Sequence, residues 1–165
     1  MTRFPALAAT IFTLALGSAA QASREGCPDA YAWGDMTLTY SGHELTDGDA
    51  VHTIAGGSSA LSRECRSIYN RLGSDRGEGY FTPEPNLTLD LYRMEGYRLR
   101  VSVRSQCDST LLIQTGVDNW FFDDDDNGNL DAEIVLTRPS SGLFDIWVGS
   151  YDGRDCDATL YFETY

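Results

Sequence analysis

From Leu87 onward, apolar and polar residues alternate in short runs. Leu87, Leu89 and Leu91 alternate with Thr88, Asp90 and Tyr92; Leu99, Val101 and Val103 alternate with Arg98, Arg100, Ser102 and Arg104. A period of two sends one set of side chains to a buried face and the other to solvent, so each run predicts a half-buried strand. The turn residues Glu95-Gly96 lie between these two runs, which are therefore expected to pair as a hairpin. The pattern continues through Leu111 to Gln114, Ile134 with Leu136, then Phe144, Ile146 and Val148, and finally Ala158, Leu160 and Phe162. Pro139-Ser-Ser-Gly142 and Asp152-Gly153 mark turns between them.

The first half is less regular. Met36 to Tyr40 alternates and predicts a strand, and Ala50 to Ala55 predicts a second. Between Ser58 and Gly73, Leu61, Cys65, Ile68 and Leu72 recur at helix spacing, with Gly73 as a stop. The Ser content and strand-like neighbours of this stretch leave helix and loop both open. Short strands every ~8–12 residues, separated by turns, indicate an all-β sandwich or barrel.

The chain opens with Arg3, an apolar run from Ala6 to Leu16 and the small-residue site Ala20-Gln21-Ala22. These are the three parts of a secretory leader, with cleavage expected before Ser23. The apolar run is shorter than the ~20 residues of a membrane span. Arg24-Glu25-Gly26 before Cys27 does not fit a lipoprotein site. Residues 23–165 then form one domain of ordinary size.

Export changes the reading of Cys27, Cys65, Cys107 and Cys156. An even cysteine count in an oxidising compartment predicts two disulfides, in any of three pairings. The sequential pairing, Cys27 with Cys65 and Cys107 with Cys156, is preferred. No C-x-x-C spacing supports metal-thiolate or redox chemistry.

Net charge is −13, and all twelve basic residues are Arg. Residues 105–165 carry thirteen carboxylates against Arg138 and Arg154 alone. Such a surface repels nucleic acid and anionic membranes and suits cations, basic partners or high salt.

Within the acidic half, Asp123, Asp125 and Asn127 precede Gly128, and Asp131 follows. This spacing matches the first part of a calcium loop, in which alternate oxygen ligands converge around a glycine turn. Ile134 stands where such a loop needs its bidentate Glu, so this is no EF-hand. Asp123, Asp125, Asn127 and Asp131 are candidate calcium ligands, with Glu133 or Asp118 as additions. The simpler alternative is a solvated acidic turn bent at Asn127-Gly128.

Catalytic constellations are poor. The two histidines, His43 and His52, lie in the weakly patterned half, and no G-x-S-x-G motif occurs. The chain is read as non-catalytic. Among the aromatics, Trp120, Trp147 and Tyr151 are candidates for an exposed binding surface. Trp147 shares a strand face with Asp145, opposite Phe144, Ile146 and Val148, which would turn it outward. Packing in the core is the favoured alternative for such residues. Arg98, Arg100 and Arg104 form a solvated face that can neutralise neighbouring carboxylates.

Several features stand in order: a strand pair with a glycine turn, Cys107-Asp-Ser-Thr-Leu-Leu-Ile113, Trp120, the acidic run to Ile134, Pro139-Ser-Ser-Gly142, and Phe144-Asp-Ile-Trp-Val-Gly-Ser-Tyr151. Over residues 87–165 this order resembles the bacterial pre-peptidase C-terminal domain. The resemblance implies a jelly-roll-like antiparallel β-sandwich without catalysis, one that assists secretion, processing or substrate contact and in some cases binds calcium. No peptidase domain precedes it in this sequence, so a stand-alone version is expected. The overall expectation is a secreted or periplasmic monomer that binds a protein or glycan, with calcium as candidate cofactor. An accessory or degenerate secreted peptidase is the alternative.

Overall fold

A computed structural model describes residues 26–73 and 75–165; the predicted leader, residues 1–22, lies outside them. Eleven strands are formed by the described residues. They are β1 (Thr37–Ser41), β2 (Asp49–Ala55), β3 (Ser59–Ala60), β4 (Tyr80–Phe81), β5 (Leu87–Tyr92), β6 (Leu99–Ser105), β7 (Ser109–Thr115), β8 (Trp120–Asp123), β9 (Glu133–Leu136), β10 (Gly142–Ser150) and β11 (Cys156–Thr164). The all-β sandwich expected from the alternation is the architecture found. No helix among the described residues is long and apolar enough to cross a membrane.

One sheet has seven strands and is built on β10. Its residue Phe144 pairs with Leu89 of β5 and with Thr115 of β7, which places those strands on opposite edges. Beyond them lie β1, parallel to β5, and β8, antiparallel to β7. Short β4 and β3 continue the β5 side beyond Ser150. The second sheet has four strands in the order β2-β11-β6-β9, all antiparallel.

Leu87 to Tyr92 and Leu99 to Ser105 are strands, but the hairpin expected between them does not form. β5 lies in the seven-stranded sheet and β6 in the four-stranded one. The chain between them changes sheets through Arg93 and Gly96, both at positive φ, while buried Met94 plugs the corner. Alternation shows that each strand has one buried face; it does not say which strand lies beside it. Here the two faces meet across the core instead of side by side. Leu87, Leu89 and Leu91 pack in one cluster with Leu99, Val101 and Val103.

A second core covers the outer face of the seven-stranded sheet. Leu112, Trp147, Trp120, Phe122 and Phe81 pack there against Cys27, Leu61, Cys65, Ile68 and Leu72. The helix-spaced apolar residues therefore do share one buried face, although only one turn, α1 (Arg66–Tyr69), is helical. The carbonyl of Ala60 accepts from both Glu64 and Cys65, which makes a turn where a longer helix would begin. The Cys27–Cys65 and Cys107–Cys156 disulfides form the preferred sequential pairing. The first staples this outer layer; the second ties the β6–β7 loop to β11. Gly57 lets the layer close: at φ +147, its Cβ would lie 2.0 Å from the Phe81 carbonyl carbon.

Candidate functional site

The acidic loop joins β8 to β9, and most of its predicted ligands are engaged in holding it. One Asp123 carboxylate oxygen accepts from the backbone N–H of Asp126 at 3.2 Å and of Glu133 at 2.8 Å. Asp131 reaches inward, where one oxygen accepts from the Ser105 N–H at 3.0 Å, the Ser105 hydroxyl at 2.8 Å and the Ser109 hydroxyl at 3.0 Å. Asn127 donates its amide to the Val103 carbonyl at 2.6 Å. Asp125 is exposed, and it is its backbone carbonyl that accepts from Gly128. Gly128, Asn129 and Leu130 turn the loop at positive φ.

Asp123 and Asp131 are thus buried, hydrogen-bonded anchors, and the loop bonds to itself and to the ends of β6 and β7. Among the described residues, no group of three or more His, Cys, Asp or Glu side chains converges as a metal site would require. Of the four candidate ligands, Asp123, Asn127 and Asp131 carry hydrogen bonds of the loop, while Asp125 faces solvent.

Charge is nevertheless concentrated at this end of the sandwich. Burial pushes the Asp123 carboxyl above its ordinary range, against the pull of its two N–H donors. Burial also raises Asp124, with Asp125, Asp108 and Asp126 adding repulsion. Asp108 is raised by burial and by its neighbours Asp152, Asp125 and Asp131.

The predicted aromatic surface divides. Trp147 is fully buried, because the strand face it shares with Asp145 is covered by the second core. Trp120 is buried beside it, so neither tryptophan belongs to a binding surface. Tyr151 is exposed, its N–H held by the Asp108 carbonyl at 2.9 Å.

The outer face of the four-stranded sheet is not covered by any described element. It carries a depression of about 440 Å³ lined by Asp49, Arg100, Ser102, Arg104, Tyr161 and Glu163 among others. Its charges are largely spent on one another. Arg100 bridges Glu133 on β9 and Glu163 on β11, at 2.6 and 3.2 Å. Arg104 lies over the Tyr161 ring, 5.7 Å from its centroid. The Tyr40 hydroxyl donates to Asp49, whose carboxylate pushes the phenol up to about 12.

The most exposed aromatics lie elsewhere, in the segment leading into β1. Tyr31 is 91% and Trp33 70% exposed. Their backbone is braced: Asp29 N–H donates to the Pro83 carbonyl at 2.8 Å and Asp35 N–H to the Pro85 carbonyl at 3.0 Å. Gly34 N–H donates to the Thr88 hydroxyl at 3.1 Å, and Cys27 is tied to Cys65. Neither aromatic is singled out by the alternation or by the motifs of the sequence. The available clue was their place in a turn-rich stretch without alternation, which has no buried face to receive them.

A groove of about 400 Å³ lies along the edge of β2, lined by Val51 to Ile54, by Asp35 and Met36 just ahead of β1, and by Thr82, Glu84 and Asn86 ahead of β5. Asn86 closes its floor, donating to the Thr53 hydroxyl at 2.8 Å and the Ile54 carbonyl at 3.1 Å while accepting from Val148 N–H at 2.7 Å. One side chain thereby links the two sheets.

No family model matches the chain. No curated protein matches it either. Among solved structures, the chain is similar to Aeromonas hydrophila PliG, a periplasmic lysozyme inhibitor of g-type lysozyme. The TM-score is 0.43, with 12% identity over 81% of this chain and all of that one.

Proposed function

We propose that the protein is an exported, non-catalytic β-sandwich that binds a protein or glycan through the braced aromatic segment around Tyr31 and Trp33. The observation that carries this reading is the exposure of Trp33 on a backbone tied at Asp29, Gly34 and Asp35. A large apolar side chain in water is unfavourable, and Trp and Tyr are the residues that dominate binding interfaces. Because the segment is ordered before any partner arrives, little conformational freedom is lost on binding. The two disulfides support an oxidising compartment, as does the expected leader. The resemblance of residues 87–165 to a non-catalytic module points the same way.

The test compares the wild-type chain with a Tyr31→Ala/Trp33→Ala variant, both immobilised. Each is challenged with extracellular and periplasmic protein fractions and with purified polysaccharides, and both are assayed for casein hydrolysis. A ligand retained by wild type and lost by the variant supports the reading. Equal retention by both, or hydrolysis by the clean protein, overturns it.

A further inference from the structure

We infer that the groove along the edge of β2 receives an extended, Arg- or Lys-bearing segment of a partner protein, with Trp33 and Tyr31 as its aromatic anchors. This rests on the reading of the chain as a binding module and names its partner by chemistry. Among the described residues β2 pairs with β11 alone, so the four-stranded sheet ends at this groove. A sheet edge offers backbone groups to an incoming extended segment.

The groove lining is amphipathic. Met36 and Ile54 are 43% and 51% exposed, and Asp35, Glu84 and Asp155 supply three carboxylates. No Arg lines the groove, and among the described residues none of these three carboxylates is in an ion pair. That separates it from the depression on the open sheet face, where Arg100 already neutralises Glu133 and Glu163.

Charge complementarity therefore selects the occupant. From Glu25 to Ser62 the sequence holds no Arg or Lys, and Asp29 and Asp35 flank the aromatics. An incoming guanidinium or ammonium meets unpaired carboxylates in the groove and ring faces at Trp33 and Tyr31, both of which attract cations. The net charge of −13 steers such a partner inward and repels an anionic glycan.

The probe is a short fluorescein-labelled peptide alternating Arg and Val, read by fluorescence anisotropy, with a counterpart carrying Glu in place of each Arg. The Arg peptide should bind wild type saturably, and the Glu peptide should not bind. Affinity should fall at least ~10-fold in Trp33→Ala and in Asp35→Asn/Glu84→Gln, which corresponds to a loss of ~1.4 kcal/mol or more. Asp125→Asn/Asp126→Asn, at the acidic loop, should leave it unchanged. Thermal unfolding of each variant checks that the fold is intact.

Equal binding by wild type and the groove variant overturns the inference, as does loss confined to the acidic-loop variant or absence of saturable binding. A neutral β-glucan whose retention depends on Trp33 but not on Asp35 or Glu84 would also overturn the cationic partner, while leaving the binding-module reading intact. If no ligand of either class depends on Trp33, both fail.

Discussion

Trp147 lies against Trp120 with ring centroids 5.5 Å apart and 28° between the planes, and its indole N–H donates to the Pro83 carbonyl at 3.2 Å. The pair sits beneath the disulfide-stapled layer, on the face that strand alternation assigns to solvent. Replacing Trp147 with Ala should cost ~3–5 kcal/mol, as for a large aromatic removed from a packed core. Urea unfolding measures it; a loss under ~1 kcal/mol would mean that the outer layer is not packed on the sheet.

Removing the Cys27–Cys65 bridge should loosen that layer before the sandwich. The cysteines are 38 residues apart, and a loop of this length contributes roughly 4 kcal/mol on the chain-entropy account. In Cys27→Ser/Cys65→Ser, hydrogen exchange should rise around Leu61, Ile68 and Leu72, with Leu89, Val101 and Leu160 still protected. Uniform loss of protection would show instead that the layer and the sandwich unfold together.

Asp131 and Asp125 should part company. Deleting the Asp131 carboxylate removes the acceptor of the Ser105 N–H and of the Ser109 hydroxyl, at a cost of ~1–3 kcal/mol, while the Ser105 hydroxyl keeps the Cys107 carbonyl at 2.6 Å. Asp125→Ala, at an exposed position, should change stability by less than ~0.5 kcal/mol. Both are measured by thermal unfolding with chelator present, so that any cation is removed from the comparison. Similar losses in the two variants would contradict a structural role particular to Asp131.

Stability should rise on mild acidification. Burial lifts the carboxyls of Asp108, Asp123, Asp124 and Asp145 above their ordinary range. A carboxyl raised by folding binds its proton more tightly in the folded state. Its contribution is therefore fully present below the unfolded-state value and lost as pH rises through the folded-state one. Glu44, Asp49, Asp118 and Asp152 are shifted downward, but they are exposed, so solvent screens their opposing effect. The unfolding midpoint should climb as pH falls from 7 into the window just above the ordinary carboxylate range. Asp145→Asn, which keeps an acceptor for the Thr88 hydroxyl, should flatten that climb. An unchanged slope would remove Asp145 from the account.

The sequence by itself determined the longer strands and their inward residues, but not short β3, β4 and β8. Leu87, Leu89 and Leu91, then Phe144, Ile146 and Val148, face the inter-sheet core as their period of two requires. Such a pattern is local: each side chain's preference for burial is written in its own chemistry and its neighbours' spacing. The cysteine pairing was also within reach, because only three arrangements were possible.

Partnership and layering were decided only by the tertiary structure. β5 and β6 face each other instead of forming a hairpin, because alternation specifies a buried face without specifying a neighbour. Trp147 is buried because Cys27 and the stretch from Leu61 to Leu72 cover a sheet face that its own strand cannot identify as covered. The acidic run has calcium-loop spacing, yet Asp131 finds Ser105 and Ser109 on strands that the spacing cannot place. Trp33 is exposed for the converse reason. Hydrophobicity predicts burial, but burial needs a surface to pack against, and the bracing by Pro83, Pro85 and Thr88 holds its segment facing water.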